Sequence, residues 1–213
     1  MSTSVTSTIA TSALAIVSAT QAMAAIHSNN KKTTVSNSIG SVVCFIALLH
    51  YRLLSTSGKD TMAIRYSDWL FTLPLLLLEI FLICGIDIID NIWMFLFTIM
   101  LIIGMLVTGW MAVRSLRSNP ADGKRSTKWW IVGTICLIAV YLIVLGVLER
   151  DPDGPLQTAT IVFFLVWTLY GVVSLYQRTG SEYMSQAAYD ILDIVTKAVF
   201  GLVVAVFAFN SNT

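Results

Sequence analysis

Seven long apolar stretches follow one another with short polar gaps, and together they consume almost the whole chain. They run roughly over 5–27, 37–55, 64–85, 91–113, 128–148, 155–176 and 185–208. Each is near the ~20 residues a helix needs to cross ~30 Å of hydrocarbon. Inside a bilayer the backbone has no water to bond, so such a segment closes its own hydrogen bonds as helix. The expected architecture is all-α: a bundle of seven transmembrane helices forming one integral membrane domain over 1–213. Composition agrees, with 56% hydrophobic and 12% charged residues against ~25% charged in soluble domains. A net charge of +1 gives no case for a nucleic-acid partner. Turn-rich segments separate the spans at 28–32, 55–60, 118–124 and 149–155. Cys44, Cys84 and Cys136 lie in apolar stretches without metal-like spacing, so neither a metal site nor a disulfide framework is expected. The first span is rich in Ser and Thr, and Ala22-Met23-Ala24 has the look of a cleavage site. No basic segment precedes it, so it is read as the first membrane helix.

One residue breaks the apolar pattern at depth. Lys197 sits inside the run 191–207, where a lone ammonium costs roughly 3 kcal/mol on insertion scales. Asp193, one turn earlier, shares its helical face. A buried ionisable pair of this kind marks a functional site.

The third span holds a second set of charges. Arg65-Tyr66-Ser67-Asp68-Trp69-Leu70-Phe71-Thr72-Leu73-Pro74 leads to Glu79. Arg65 and Asp68 share a face and can pair, and Thr72 lies one turn beyond Asp68. Glu79 is eleven positions from Asp68, about 16 Å along the axis at ~1.5 Å per residue. Two acids at different depths suit stepwise proton passage better than a catalytic dyad. No base in the sequence is an evident partner for Glu79, and an unpaired acid in apolar surroundings keeps its proton.

These motifs resemble those of microbial (type 1) rhodopsins. Arg65–Pro74 is similar to their third-helix signature and Asp193-Ile194-Val195-Thr196-Lys197 to their retinal-attachment motif. Trp167-Thr168-Leu169-Tyr170 resembles their sixth-helix aromatics. Within the family the likeness is to proteorhodopsins: His50-Tyr51 ends the second span, Met105–Met111 resembles the fourth helix and Tyr189–Asp193 the seventh. The resemblance implies a photoreceptor, not an enzyme, built around covalently bound all-trans retinal. Lys197 would carry retinal as a protonated Schiff base. Asp68 would be counterion and proton acceptor, Asp193 second counterion, and Glu79 the proton donor from the opposite side. Thr72 would hydrogen-bond Asp68, Arg65 would stabilise the ionised acids, and His50 would pair with the acceptor carboxylate. Trp69, Trp167, Tyr170, Tyr189 and Trp129 or Trp130 would line the polyene. Leu76 and Thr196 would tune its colour, Leu76 toward green and Thr196 toward blue. His27 has no such support and reads as interfacial. The resemblance also implies a multi-pass protein of the cell membrane, assembled among lipids as a ring, with a pentamer favoured.

The chain departs from the family pattern at several points. Gly171 stands where the sixth helix usually has proline, and Ser174 where an aromatic is expected, which predicts a roomier ring end of the pocket. Ser185 occupies the usual position of a proton-releasing glutamate, with Glu182 nearby, and Asp190 adds an acid to the acceptor half. The basic loop residues conflict with the family orientation, in which the N-terminus is outside. Arg52, Lys59, Arg114, Arg117, Lys124, Arg125, Lys128 and Arg178 lie on the Asp68 side, against Lys31, Lys32 and Arg150 on the other, whereas basic loops normally face the cytoplasm. The leading functional reading is a light-driven proton pump. A light-gated ion channel is the alternative, suggested by the Ser/Thr-rich first span, Gly171 and Asp190. A sensory rhodopsin coupled to a transducer, suggested by Thr196, is the second.

Overall fold

The computed structural model describes residues 5–56, 61–118, 123–148, 155–177 and 182–210. The turn segments at 57–60, 119–122 and 149–154 lie outside the described residues, with Lys59, Glu149, Arg150, Asp151, Asp153 and Arg178; so do the side chains of Arg117 and Glu182. Every described element is helical. Six helices run as α1 (Val5–His27), α2 (Lys31–Thr56), α3 (Thr61–Ile83), α4 (Ile92–Ser118), α5 (Gly123–Leu148) and α6 (Pro155–Gln177). Each of the six is long and apolar enough to cross a membrane. The seventh crossing is composite. It runs as α7 (Glu182–Asp193), a π turn (Ile194–Val199) and α8 (Phe200–Asn210), where the sequence alone predicts one uninterrupted helix.

The helices pack in chain order, α1 on α2, α2 on α3, α3 on α4, α4 on α5 and α5 on α6. The last crossing closes the ring against α6, α1 and α2. Between helices the joints are hydroxyl bonds to carbonyls. Ser41 of α2 donates to the Ser18 carbonyl of α1 (2.9 Å), Ser126 to that of Ala112 (2.8 Å), and Tyr141 to that of Phe164 (2.9 Å). Such bonds suit an apolar medium, where water cannot replace them.

The usual inside–outside pattern is inverted. Large apolar side chains face outward, with Ile16 67%, Leu142 66% and Leu165 65% exposed, while Gln21, Arg65, Asp68, Glu79, Asp193 and Lys197 are all buried. The apolar core has two parts. The larger joins α3 through α6 with the last crossing around Trp69, Leu73, Leu76, Ile102, Val140, Phe163 and Trp167. The smaller, around Leu14, Cys44, Ala47, Tyr51 and Ala198, seats α1 and α2 against the π turn.

Helix α3 positions the chemistry. Pro74 lies inside it, and a proline there removes one helical N–H between the Asp68 and Glu79 ends. The helix stops at Gly85, whose φ of 72° is open to glycine and strained for other residues. The Ile86 N–H reaches back to the Phe81 carbonyl (3.0 Å) and that of Gly85 to Leu82 (3.1 Å), the paired bonds that commonly cap a helix C-terminus.

Candidate functional site

The Lys197 amine and the Asp68 carboxylate meet in a direct ion pair between the π turn and α3. Asp193 stands on the other side of the amine, its Oδ1 3.5 Å from Lys197 Nζ. The cation is thus flanked by two carboxylates, an arrangement that offsets part of the cost of burying it.

The two acids are held differently. Asp193 accepts hydrogen bonds from the hydroxyls of Tyr51 (3.0 Å) and Tyr170 (2.7 Å) and from the indole N–H of Trp69 (3.3 Å). Asp68 has its Oδ2 on Lys197, while its Oδ1 has no hydrogen-bond partner among the described residues. His50 Nδ1 is 3.8 Å from that oxygen and also bonds the Ile46 carbonyl (2.9 Å).

Three of the expected residues have more particular surroundings than the sequence indicates. Arg65 does not take Asp68 one turn along its own helix. It reaches across to α7, where it pairs with Asp190, donates to Gln186 Oε1 (2.5 Å) and lies 3.7 Å from Asp193 Oδ2. A planar guanidinium favours such several-sided bonding, and α7 offers more acceptors than the single carboxylate on α3. Thr72 bonds the backbone carbonyl of Asp68 (2.9 Å), not its carboxylate, the return bond common to hydroxyl residues inside helices. Leu76 is buried in the core but does not line the cavity beside Lys197; Leu73 does.

That cavity opens between α3, α4, α5, α6 and the last crossing, with about 770 Å³ of space when its open mouth is included. Its walls include Trp69, Trp130, Trp167, Tyr170, Tyr189 and Thr196, and Lys197 lies at its edge. Trp130, not Trp129, is the α5 tryptophan that lines it. Trp69 anchors the lysine end, edge-on to Tyr66, Tyr170 and Tyr189 at centroid distances of 5.1, 5.4 and 5.2 Å. Gly171 and Ser174 form part of the wall, and a Cβ added at Gly171 meets nothing within 4 Å. Thr196 bonds the Leu192 carbonyl (2.8 Å) and its hydroxyl is 3.0 Å from that of Tyr170. An apolar cavity walled by aromatic rings, with a buried amine in its lining, suits a conjugated apolar group attached to that amine.

Glu79 lies on the far side of the amine from Asp193 and is fully buried. Gln21 of α1 is its polar neighbour, with Nε2 3.5 Å from Glu79 Oε1. Its Oε2 has no hydrogen-bond partner among the described residues.

Several members of the site escape the sequence reading. Sequence alone gives Tyr51 no role beyond its place beside His50, yet its hydroxyl joins Asp193 to Arg65 Nη1 (3.3 Å). Gln186 and Thr6 fix the Arg65–Asp190 pair, Thr6 by donating to Asp190 Oδ2 (2.7 Å). Gln21 gave a usable signal: it is the one amide within an otherwise small and apolar stretch of α1. His27 is exposed and bonds the Met23 carbonyl (2.9 Å), and the three cysteines form no disulfide among the described residues.

The chain has known relatives. A family model described as bacteriorhodopsin-like protein matches residues 2–211. Bacteriorhodopsin of Haloterrigena sp. (strain arg-4) is 31% identical over 153 residues, covering 65% of this chain and 57% of that protein. The match thus spans little more than half the length of that relative. Among solved structures, the blue light-absorbing proteorhodopsin from Med12 superposes with a TM-score of 0.76 at 20% identity, covering 98% of this chain and 97% of that one. Halorhodopsin, a light-driven chloride pump, superposes with a TM-score of 0.83 at 15% identity, covering 99% and 96%. The chain belongs to the bacteriorhodopsin-like family of seven-helix membrane proteins, whose members bind retinal as their chromophore.

Proposed function

We propose that this chain is a light-driven proton pump, with Lys197 holding retinal, Asp68 accepting the proton and Glu79 restoring it. Bound at Lys197, retinal supplies a polyene whose isomerisation by light stores the energy for transport. The chain's own residues do the rest. Asp68 Oδ2 contacts the Lys197 nitrogen, so a proton leaving that atom has an acceptor without any intervening group. Asp193, held by three neutral donors, places a second carboxylate beside the same nitrogen. Arg65, paired with Asp190 and close to Asp193, holds positive charge behind both acids.

The observation that carries the reading is the distribution of acids along α3. One is spent on the Lys197 cation, and the other is buried about 16 Å further along the axis with one long amide contact. An unpartnered acid at that depth is costly to ionise, which suits a group that holds a proton until a stronger base appears. Halorhodopsin's chloride does not transfer readily to this site. An anion beside the amine would share its space with the Asp68 carboxylate and be repelled by it.

Voltage clamp under illumination tests the pump. The current should keep its sign at all holding potentials and vanish in Lys197→Ala. A current that reverses with the ion gradient would instead identify a channel. Glu79→Gln should slow reprotonation of the Lys197 nitrogen about tenfold or more, equivalent to ~1.4 kcal/mol of barrier, with partial rescue by azide. An unchanged rate removes Glu79 from the donor role. We further propose a ring oligomer with α2 at the joint, since His50 is part-exposed there and Val42, Phe45 and Leu49 face outward. A monomer mass under gentle solubilisation would refute it.

A further inference from the structure

We infer that Gln21 is a positioning residue for Glu79, holding its carboxyl and stabilising the negative charge left there when the proton departs. The inference rests on the donor reading above. Gln21 is wholly buried on α1, and its amide lies between three helices. Nε2 faces Glu79 Oε1 at 3.5 Å. At the other end of the amide, the Cys44 thiol donates to Gln21 Oε1 at 3.7 Å and also lies 3.7 Å from the Lys197 carbonyl. A thiol donor on one side and a carboxyl on the other fix which way the amide points.

Space for this amide is made by two glycines on different helices. A Cβ at Gly40 of α2 would collide with Gln21 Nε2 and come within 2.7 Å of Glu79 Oε1. A Cβ at Gly201 of α8 would lie 2.9 Å from three atoms of the same amide. The pocket therefore admits the amide only while both positions lack a side chain. The groups form a polar series from Glu79 through Gln21 and Cys44 to the backbone carbonyl of Lys197, in a region otherwise apolar.

The chemistry follows from charge. A protonated carboxyl in this pocket needs little from its surroundings, but the carboxylate it becomes needs a donor, and the Gln21 N–H₂ is the one aimed at it. A donor directed at the place where charge develops lowers the barrier to forming it. Without the amide, Glu79 should release its proton more slowly, on the order of tenfold, and its protonated C=O should lose a hydrogen bond.

Two measurements on the full-length pigment test this. Infrared difference spectra identify the Glu79 carboxyl band by its loss in Glu79→Gln. In Gln21→Met, which preserves length and fills the pocket, that band should move to higher wavenumber. Gly40→Ala, which displaces the amide, should move it too. Flash spectroscopy should show slower reprotonation of the Lys197 nitrogen in both variants, with proton transfer to Asp68 unaltered. If Glu79→Gln slows reprotonation while Gln21→Met matches wild type in band and rate, the Gln21 assignment falls alone. If Glu79→Gln leaves the rate untouched, the donor reading falls and takes this one with it.

Discussion

Asp193→Asn should destabilise the fold more than Asp68→Asn, although both remove one buried charge beside the same lysine. The difference comes from the bonds each carboxylate receives. Asp193 receives Tyr51 at 3.0 Å, Tyr170 at 2.7 Å and Trp69 at 3.3 Å, with Arg65 at 3.7 Å and Lys197 at 3.5 Å. An asparagine there keeps one acceptor oxygen for Tyr170 and Trp69. Its NH₂ then points at the Tyr51 hydroxyl, which already receives a bond from Arg65 (3.3 Å). Tyr51 loses its anionic acceptor, the Tyr170 and Trp69 bonds weaken from charged to neutral, and both cations lose a neighbouring anion while keeping Asp68 and Asp190; at about 1.5–3 kcal/mol for a hydrogen bond to a charged group, these losses together come to about 3–5 kcal/mol. At Asp68 only Oδ2 is bonded, and Lys197 retains Asp193. Losing one charged hydrogen bond costs about 1.5–3 kcal/mol. For a chain of this size, at roughly 2–4 °C per kcal/mol, the midpoints should differ by about 5 °C. Far-ultraviolet circular dichroism during heating measures both variants without relying on pigment colour. An Asp68→Asn midpoint as low as that of Asp193→Asn would refute the reasoning.

Lys197→Ala should give colourless protein that gains no visible band on adding retinal, read by absorption. A coloured, covalently linked product would overturn the attachment site. Asp68→Asn should shift absorption to the red and abolish proton transport in vesicles, because the carboxylate in contact with the Lys197 nitrogen is gone; unchanged spectrum and transport would refute it. Gly133→Leu should reduce pigment regeneration about tenfold, since a Cβ there already lies 2.9 Å from Thr108 Oγ1 and 3.4 Å from the Met105 carbonyl, and overpacking of this kind costs about 1–3 kcal/mol. Gly171→Ala, on the same cavity but meeting nothing within 4 Å, should regenerate normally.

The helices and the Lys197–Asp68–Asp193 cluster are legible in the sequence because hydrocarbon enforces a simple rule: apolar runs span, and a charge within one must be paired. What escapes is everything set by how the helices rotate against each other. Arg65 has an acid on its own face three residues on, and nothing local indicates that Asp190, more than a hundred residues away, receives it instead. Tyr51 ends a lipid-spanning helix like many interfacial tyrosines, and only the approach of α7 turns its hydroxyl into a bridge. Leu76 and Leu73 are three residues apart on α3, so a modest rotation decides which one reaches the cavity. Gln21 is visible as an oddity, but its meaning depends on gaps left by Gly40 and Gly201 on two other helices.

The π turn leaves the last crossing in two phases. Such a turn accommodates one more residue than the α-helix around it, so α8 emerges rotated by about 100°, one residue's share of a 3.6-residue turn. The half below the joint addresses Asp190 and Asp193 to Arg65; the half above addresses Gly201 to Gln21 and packs Ala205 on Ala24. Lys197 sits at the point where the two alignments meet. Removing Ala198 or Val199, the two residues of the turn beyond Lys197, would leave an unbroken helix with the amine and its Asp193 spacing intact, yet its two ends would no longer face their separate partners at once.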